Sequence, residues 1–328
     1  MDNNLISDKL KSYYSEDLVL VVFIFLIGAV ATFINPRFLS VRNLMNILQQ
    51  ISVLGIIASG VGMLLVAGEI DISVGSQVSL IGVIVAMIVQ NLYGLPGGNP
   101  PVEALTPFIP VIAILAAVLI GVLCGLTNGL IVTNTNAPSF IITLGFRAVY
   151  KGIALLITGG ASFMMFGKFQ TFGRGRLFNY IPFSVLFFLG AIALVYVILK
   201  YTRYGRFLYA IGGNEEAAFV SGIKVKLVTL RAFVVVGLLN ALAAIILVSR
   251  VGSALANIGD AFALDALAAI IVGGVSLYGG KGSAASVFLG VVLIGLLSNA
   301  LVIMNVNPFI RNIAIGAVTI IAVVSREY

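Results

Sequence analysis

Three carboxylates border apolar stretches of this chain, and their placement gives them the most scope for chemistry. Glu69 and Asp71 fall in the run Gly68-Glu-Ile-Asp-Ile-Ser-Val-Gly-Ser-Gln77, and Asp265 opens a later apolar stretch. Holding an ionised group near hydrocarbon costs about 3 kcal/mol or more, so such groups are kept for a reason. Two readings fit. The acids cap helices or tie them together at N-termini, where the dipole favours carboxylates, or they gate a passage and couple it to protons. Histidine is absent and Cys124, inside an apolar run, is the sole cysteine. Imidazole-based metal catalysis and an internal disulfide are therefore excluded, and no metal site or catalytic nucleophile is expected. Gly279-Gly-Lys281-Gly-Ser283 invites comparison with a phosphate loop but lacks the first glycine, and Lys281 is followed by Gly282. It reads as a tight turn, which leaves nucleotide chemistry to another chain.

Other polar groups sit within apolar runs. Asn128 lies among Gly121, Gly125 and Gly129, a spacing that lets helix backbones approach closely; it reads as a packing residue or as part of a path. Arg147 and Lys151, one helical turn apart, either line a polar cavity or snorkel to an interface.

The densest charge lies between Lys200 and Arg231, with Arg203, Arg206, Glu215, Glu216, Lys224 and Lys226. At its centre Asn214 is placed to cap a short helix through Ala217, Ala218 and Phe219, and Gly222 to end it. A solvated loop does not explain apolar Ala217, Ala218, Phe219 and Val220 outside the bilayer. A short helix that docks on a soluble partner does.

The elements that must position these residues are membrane helices. The 328 residues are 60% hydrophobic and only 9% charged, too little polar surface for a soluble fold. A bilayer core needs about 20 apolar residues per helix. Ten segments meet or approach that length: 18–35, 44–67, 72–91, 108–132, 138–158, 180–199, 229–249, 263–278, 284–304 and 308–325. The expected fold is all-α and polytopic, with residues 1–17 a cytoplasmic segment, 18–325 the transmembrane domain containing a cytoplasmic loop 200–228, and 326–328 a cytoplasmic tail. The island of bases sets both termini inside. The net charge of +7 reflects such loop bases, not nucleic-acid binding.

Gly68–Gln77 and Asn134–Ser139 look like interruptions that give broken or re-entrant helices, which are tolerated only against protein or a wet cavity. Asp71-Ile-Ser-Val-Gly-Ser is echoed by Gly259-Asp260-Ala-Phe-Ala-Leu-Asp265 five segments later. The odd offset implies an inverted repeat.

With those residues in view, the chain resembles the permease subunits of bacterial ABC importers for monosaccharides, the group with ribose, xylose, arabinose and galactose permeases. The matching stretches are Gly68 to Ser76, Ala137 to Gly160, Gly205 to Arg231 and Asp265 to Ser283. The resemblance implies a bacterial inner-membrane protein that pairs with a second permease chain, a cytoplasmic ATPase (often of two fused domains) and an extracytoplasmic sugar-binding protein. ATP and Mg would be bound by the ATPase, with no cofactor in this chain. Gly213, Asn214, Glu215, Glu216, Ala217, Ala218, Ser221, Gly222 and Ile223 correspond to the family's coupling region. A passage for a neutral polyol needs scattered hydrogen-bond partners, and polarity and position nominate Gln77, Asn128, Asn136 and Ser139. Glu69, Asp71 and Asp265 remain structural or gating acids. The rival reading is an ion-coupled secondary transporter working through Asp71 or Asp265.

Overall fold

The computed structural model describes residues 3–327, with side chains from residue 18 onward apart from 19, 308, 311, 312, 318, 319, 322, 323 and 325–328. The side chains of the expected cytoplasmic segments 1–17 and 326–328 lie outside the described residues. The chain folds into α1 (Asn3–Ile34), α2 (Val41–Val66), α3 (Val74–Leu92), α4 (Ile109–Asn134), α5 (Ser139–Thr158), α6 (Thr171–Arg174) and α7 (Phe183–Tyr201). There follow α8 (Arg203–Gly213), α9 (Glu215–Val220), α10 (Val225–Val251), α11 (Phe262–Gly273), α12 (Ala284–Ile303) and α13 (Pro308–Glu327). Two small antiparallel ladders pair β1 (Phe163–Met164) with β4 (Ser253–Ala254), and β2 (Arg176–Leu177) with β3 (Ile181–Pro182). The protein is an all-α polytopic membrane protein. Each of the ten apolar segments contains a helix, and among the described residues seven helices are long and apolar enough to span a bilayer.

Helices α2, α3 and α10 form the buried centre, with α4, α5, α7 and α12 packed around them. Glycine spacing decides the tightest contact. On α4, a methyl group at Gly121 would strike the Gly237 carbonyl and one at Gly125 the Phe233 carbonyl, so α4 and α10 lie backbone to backbone and antiparallel. This is the close approach that the Gly-x-x-x-Gly spacing implies.

The helix pairings repeat. α4 packs on α10 as α12 packs on α2; α3 touches α4, α5 and α10 as α11 touches α12, α13 and α2. Both halves also turn from a long helix into the next through a left-handed glycine, Gly68 after α2 and Gly252 after α10. The inverted repeat thus has a counterpart in the packing of α2–α5 and α10–α13.

Two expectations are corrected. The segment 263–278 is not a full span: α11 has 12 residues, about 18 Å, roughly half of a bilayer core. Its downstream residues, Val275 to Gly282, instead form a glycine-rich turn. The second supposed interruption, 134–139, is a plain link between full-length α4 and α5. Asn134 and Thr135 bond back to α4 carbonyls, and no side chain caps α5. Local back-bonding satisfies those polar groups, so no broken helix is needed.

The bundle has two distinguishable ends. α8 and α9 mark one, the island end, where α2, α4 and α7 finish and α10 and α12 begin. At the opposite end α2 and α7 begin, and the segment 163–182 packs on the close of α10.

Candidate functional site

The loop 67–73 enters from the island end and delivers Asp71 into the interior. Ser73 donates to Asp71 Oδ1 through its backbone N–H (2.8 Å) and its hydroxyl (2.6 Å). Gln77 Nε2 and Asn128 Nδ2 each donate to Oδ2 at 3.1 Å. The network continues outward: Tyr150 donates its hydroxyl to Asn128 Oδ1 at 2.7 Å, and Asn240 Nδ2 donates to Gln77 Oε1 at 2.9 Å. Asn240 lies fifteen residues into the 27-residue α10, which puts Gln77 near mid-depth. Asp71 is 1% exposed, and its neighbours Gln77, Asn128 and Asn240 are fully buried. A carboxylate with four donors on it needs no cation nearby, because charge-assisted hydrogen bonds offset much of its desolvation.

The loop itself is held by α5. Ser139 Oγ accepts the Ile70 N–H at 3.1 Å, and Thr143 Oγ1 accepts the Ile72 N–H at 3.2 Å. Glu69 sits half-buried at the mouth of this loop. Burial pushes its carboxyl above the usual range, against the pull of a Ser139 hydrogen bond and with the help of the Glu215 charge.

From the opposite end a second loop, 252–261, enters and meets the start of α3. Gly259 donates its N–H to Ser79 Oγ at 2.9 Å, and a side chain on either Gly75 or Gly259 would strike the other's backbone. Lys151 Nζ pairs with Asp260 Oδ2 at 2.5 Å on this loop.

The expected site residues separate accordingly. Gln77, Asn128 and Ser139 gather round the Asp71 loop, buried and bonded as above, while Asn136 is exposed in the α4–α5 link. Asp265 is half-buried in the first turn of α11. Tyr150, Thr143 and Asn240 belong to the network and were not singled out by sequence reasoning. Asn240, a lone amide in a long apolar run, was the available signal. Among the described residues no group of acids or Cys124 could hold a metal.

At the island end, the short α9 stands outside the spans. Asn214 Oδ1 accepts the Ala217 N–H at 2.8 Å, and Gly222, at φ +84°, ends the helix with the Ile223 N–H on the Ala218 carbonyl at 3.1 Å. Ala218 is the buried face; Phe219 and Val220 are 71% and 85% exposed. Glu215, Glu216, Lys224 and Lys226 surround them in a shallow depression. Just before α9, Gly212 touches both the end of α2 and the 274–283 turn. A Cβ on Gly279, whose φ is +82°, would lie 2.8 Å from the Gly68 Cα and 2.9 Å from the Gly212 Cα. Three segments meet there with no side chains between them, so the backbone leading into α9 lies directly against the start of the Asp71 loop.

The opposite end carries a basic concavity lined by Asn46, Gln49, Gln50, Arg174, Arg176 and Arg250. Arg174 Nε donates to the Arg250 carbonyl at 2.8 Å and Arg250 Nη1 to the Gln49 carbonyl at 3.0 Å, so two of the guanidinium groups are fixed in place. No carboxylate lines it.

A family model described as branched-chain amino acid transport system / permease component matches residues 43–323. The ribose import permease protein RbsC of Bacillus subtilis is 38% identical over 304 residues, 92% of this chain and 89% of its own. The galactose/methyl galactoside import permease protein MglC of Escherichia coli is 38% identical over 322 residues, 95% of this chain and 94% of its own. RbsC of Haemophilus influenzae is 35% identical across the whole of this chain and 98% of its own. No solved structure matches. Taken with a polytopic helical bundle, these matches over nearly the full length show that the chain belongs to this family of membrane-embedded transport permease components.

Proposed function

We propose that this chain is the membrane-spanning subunit of an ATP-driven importer for a monosaccharide or related small polyol. The observation that carries the reading is α9, which holds two large apolar side chains, Phe219 and Val220, in water beside a backbone junction to the buried loop. Such a surface suits a groove on a soluble partner. That partner is an ATPase subunit, of two separate or fused domains, which binds ATP and Mg itself. The island end is then cytoplasmic, as are both termini, in the inner membrane of a bacterium. The names of the relatives, ribose and galactose import permeases, supply the substrate class.

In this mechanism the chain makes and breaks no bonds. Closure of the ATPase moves α9, and the Gly68–Gly212–Gly279 junction passes the movement to the Asp71 loop and to α11. A second permease chain, identical or related, closes the passage against the exposed face of α5, where Ile141, Leu144 and Val149 are uncovered. Gln77, Asn128, Asn136 and Ser139 stay the proposed polar partners, three of them reached only when the Asp71 loop shifts. The arginine concavity faces outward and receives acidic side chains of the sugar-binding protein.

Reconstitution tests this directly. Vesicles holding the chain and its ATPase should take up sugar only with ATP and the binding protein, and a protonophore should leave the rate unchanged. Uptake that ignores ATP and collapses with the protonophore would favour the ion-coupled reading, in which Asp71 and Asp265 are the candidate carriers of the proton. In the same vesicles, Arg174→Glu with Arg176→Glu should reduce stimulation by the binding protein about tenfold or more at low salt, as expected for like charges across a docking surface. Undiminished stimulation would remove this concavity from the docking surface.

A further inference from the structure

α5 grips both inward-reaching loops. Near its start, Ser139 and Thr143 hold the backbone of Ile70 and Ile72 on the loop from the island end. Eight residues beyond Thr143, about 12 Å along the helix, Lys151 holds Asp260 on the loop from the opposite end. The two loops meet where Gly259 donates to Ser79. Beyond the β1–β4 ladder at its base, loop 252–261 is held at its tip by the Gly259 N–H on Ser79 Oγ and at its flank by one ion pair.

The environment of that pair is unusual. Lys151 is 37% exposed on a helix where uncovered neighbours such as Val149, Ile153 and Leu156 are apolar, and Asp260 on the facing loop is 30% exposed. Charges at membrane level do not face lipid tails; they face protein or a water-filled cavity. The second oxygen of Asp260, Oδ1, is buried and has no hydrogen-bond partner among the described residues. Closed, the pair gains one short contact but leaves an acceptor unsatisfied; opened, both carboxylate oxygens would be hydrated. These opposing terms keep the closed form only modestly favoured.

We propose that Lys151–Asp260 is the outer clasp of the passage, closed here and released when loop 252–261 swings away from α3 to admit substrate. Both residues are positioning residues: they set where the loop rests and bind no sugar. The proposal rests on the transporter reading, since it presumes a passage between the two loops.

Ser79 supplies a test independent of transport, because it is fully buried beneath the Gly259 tip. In a Cys124→Ala background, Ser79→Cys places a thiol under the closed loop. Labelling by a membrane-impermeant maleimide should be slow, and Lys151→Met should speed it about tenfold, the factor expected for losing a partly exposed, hydrogen-bonded ion pair. The exchanged pair, Lys151→Asp with Asp260→Lys, should restore slow labelling and show that the chain folds. Equal labelling with and without the ion pair would overturn the clasp. In reconstituted vesicles Lys151→Met should also lower sugar uptake per ATP hydrolysed several-fold; unchanged coupling would equally overturn it. If wild-type uptake proved independent of ATP, the importer reading would fail while the labelling comparison still decided the clasp.

Discussion

Phe219→Asp is expected to strip the ATPase from this chain while leaving the chain itself intact. Phe219 is 71% exposed and makes no contribution to the buried core, so the thermal midpoint in detergent should move little. At an interface the same side chain has the character of an anchor: aromatic, at the tip of a capped helix and ringed by charges. Truncating such anchors commonly weakens binding by about 2 kcal/mol, roughly 30-fold, and an aspartate adds the desolvation of a charge. Co-purification of the ATPase should fall by at least that factor and ATP-driven uptake should be lost. Val220→Asp should behave alike. Ala218→Asp is a different experiment, because Ala218 is 4% exposed and the charge would be forced against α9's own support. Its failure would report misfolding. Normal uptake with Phe219→Asp would show that α9 is not the coupling surface.

Why was α9 readable from sequence when the interior of the site was not? A helix cap is local: Asn214, three residues before Ala217, and Gly222 just past the end encode α9 without tertiary help. The ten helices were readable for a similar reason, since hydrophobic length is a property of contiguous residues. The short α11 was misjudged because Gly273-Gly-Val-Ser-Leu-Tyr278 is apolar enough to extend a span. Its left-handed Gly274 and the approach of Gly279 to Gly68 and Gly212 are what turn it away. Such contacts join residues more than sixty positions apart, and no local period records them. The same holds for Asp71, legible as a charge out of place but not as the centre of a network with Asn128, Tyr150 and Asn240. Asp260 was visible beside Gly259 in the internal echo. Only the fold shows that Lys151 reaches it.

Asp71→Ala should produce the largest loss of stability of any single change in the interior. It removes the acceptor of four hydrogen bonds and leaves the donors of Ser73, Gln77 and Asn128 buried with their geometry fixed by α3 and α4. Orphaning buried donors costs about 1–3 kcal/mol each before relaxation. Ser73 Oγ still accepts from Gln77 and Asn128 at 2.8 Å, which softens the loss to about 3–5 kcal/mol. For a chain of this size that corresponds to a drop of roughly 10 °C in thermal midpoint, measurable in detergent by fluorescence of a thiol-free dye or by loss of monodisperse protein. Asp71→Asn separates structure from ion coupling. The amide keeps the shape and one acceptor oxygen, so stability should fall by only about 1–2 kcal/mol. If the carboxylate serves only to hold the loop 67–73, ATP-driven uptake should persist at a reduced rate and remain insensitive to a protonophore. If it carries a proton, Asp71→Asn should abolish coupling while the protein stays folded. Preserved uptake in Asp71→Asn together with a sharp thermal loss in Asp71→Ala would identify Asp71 as the keystone of the inner loop and remove it as the carrier of a coupling proton.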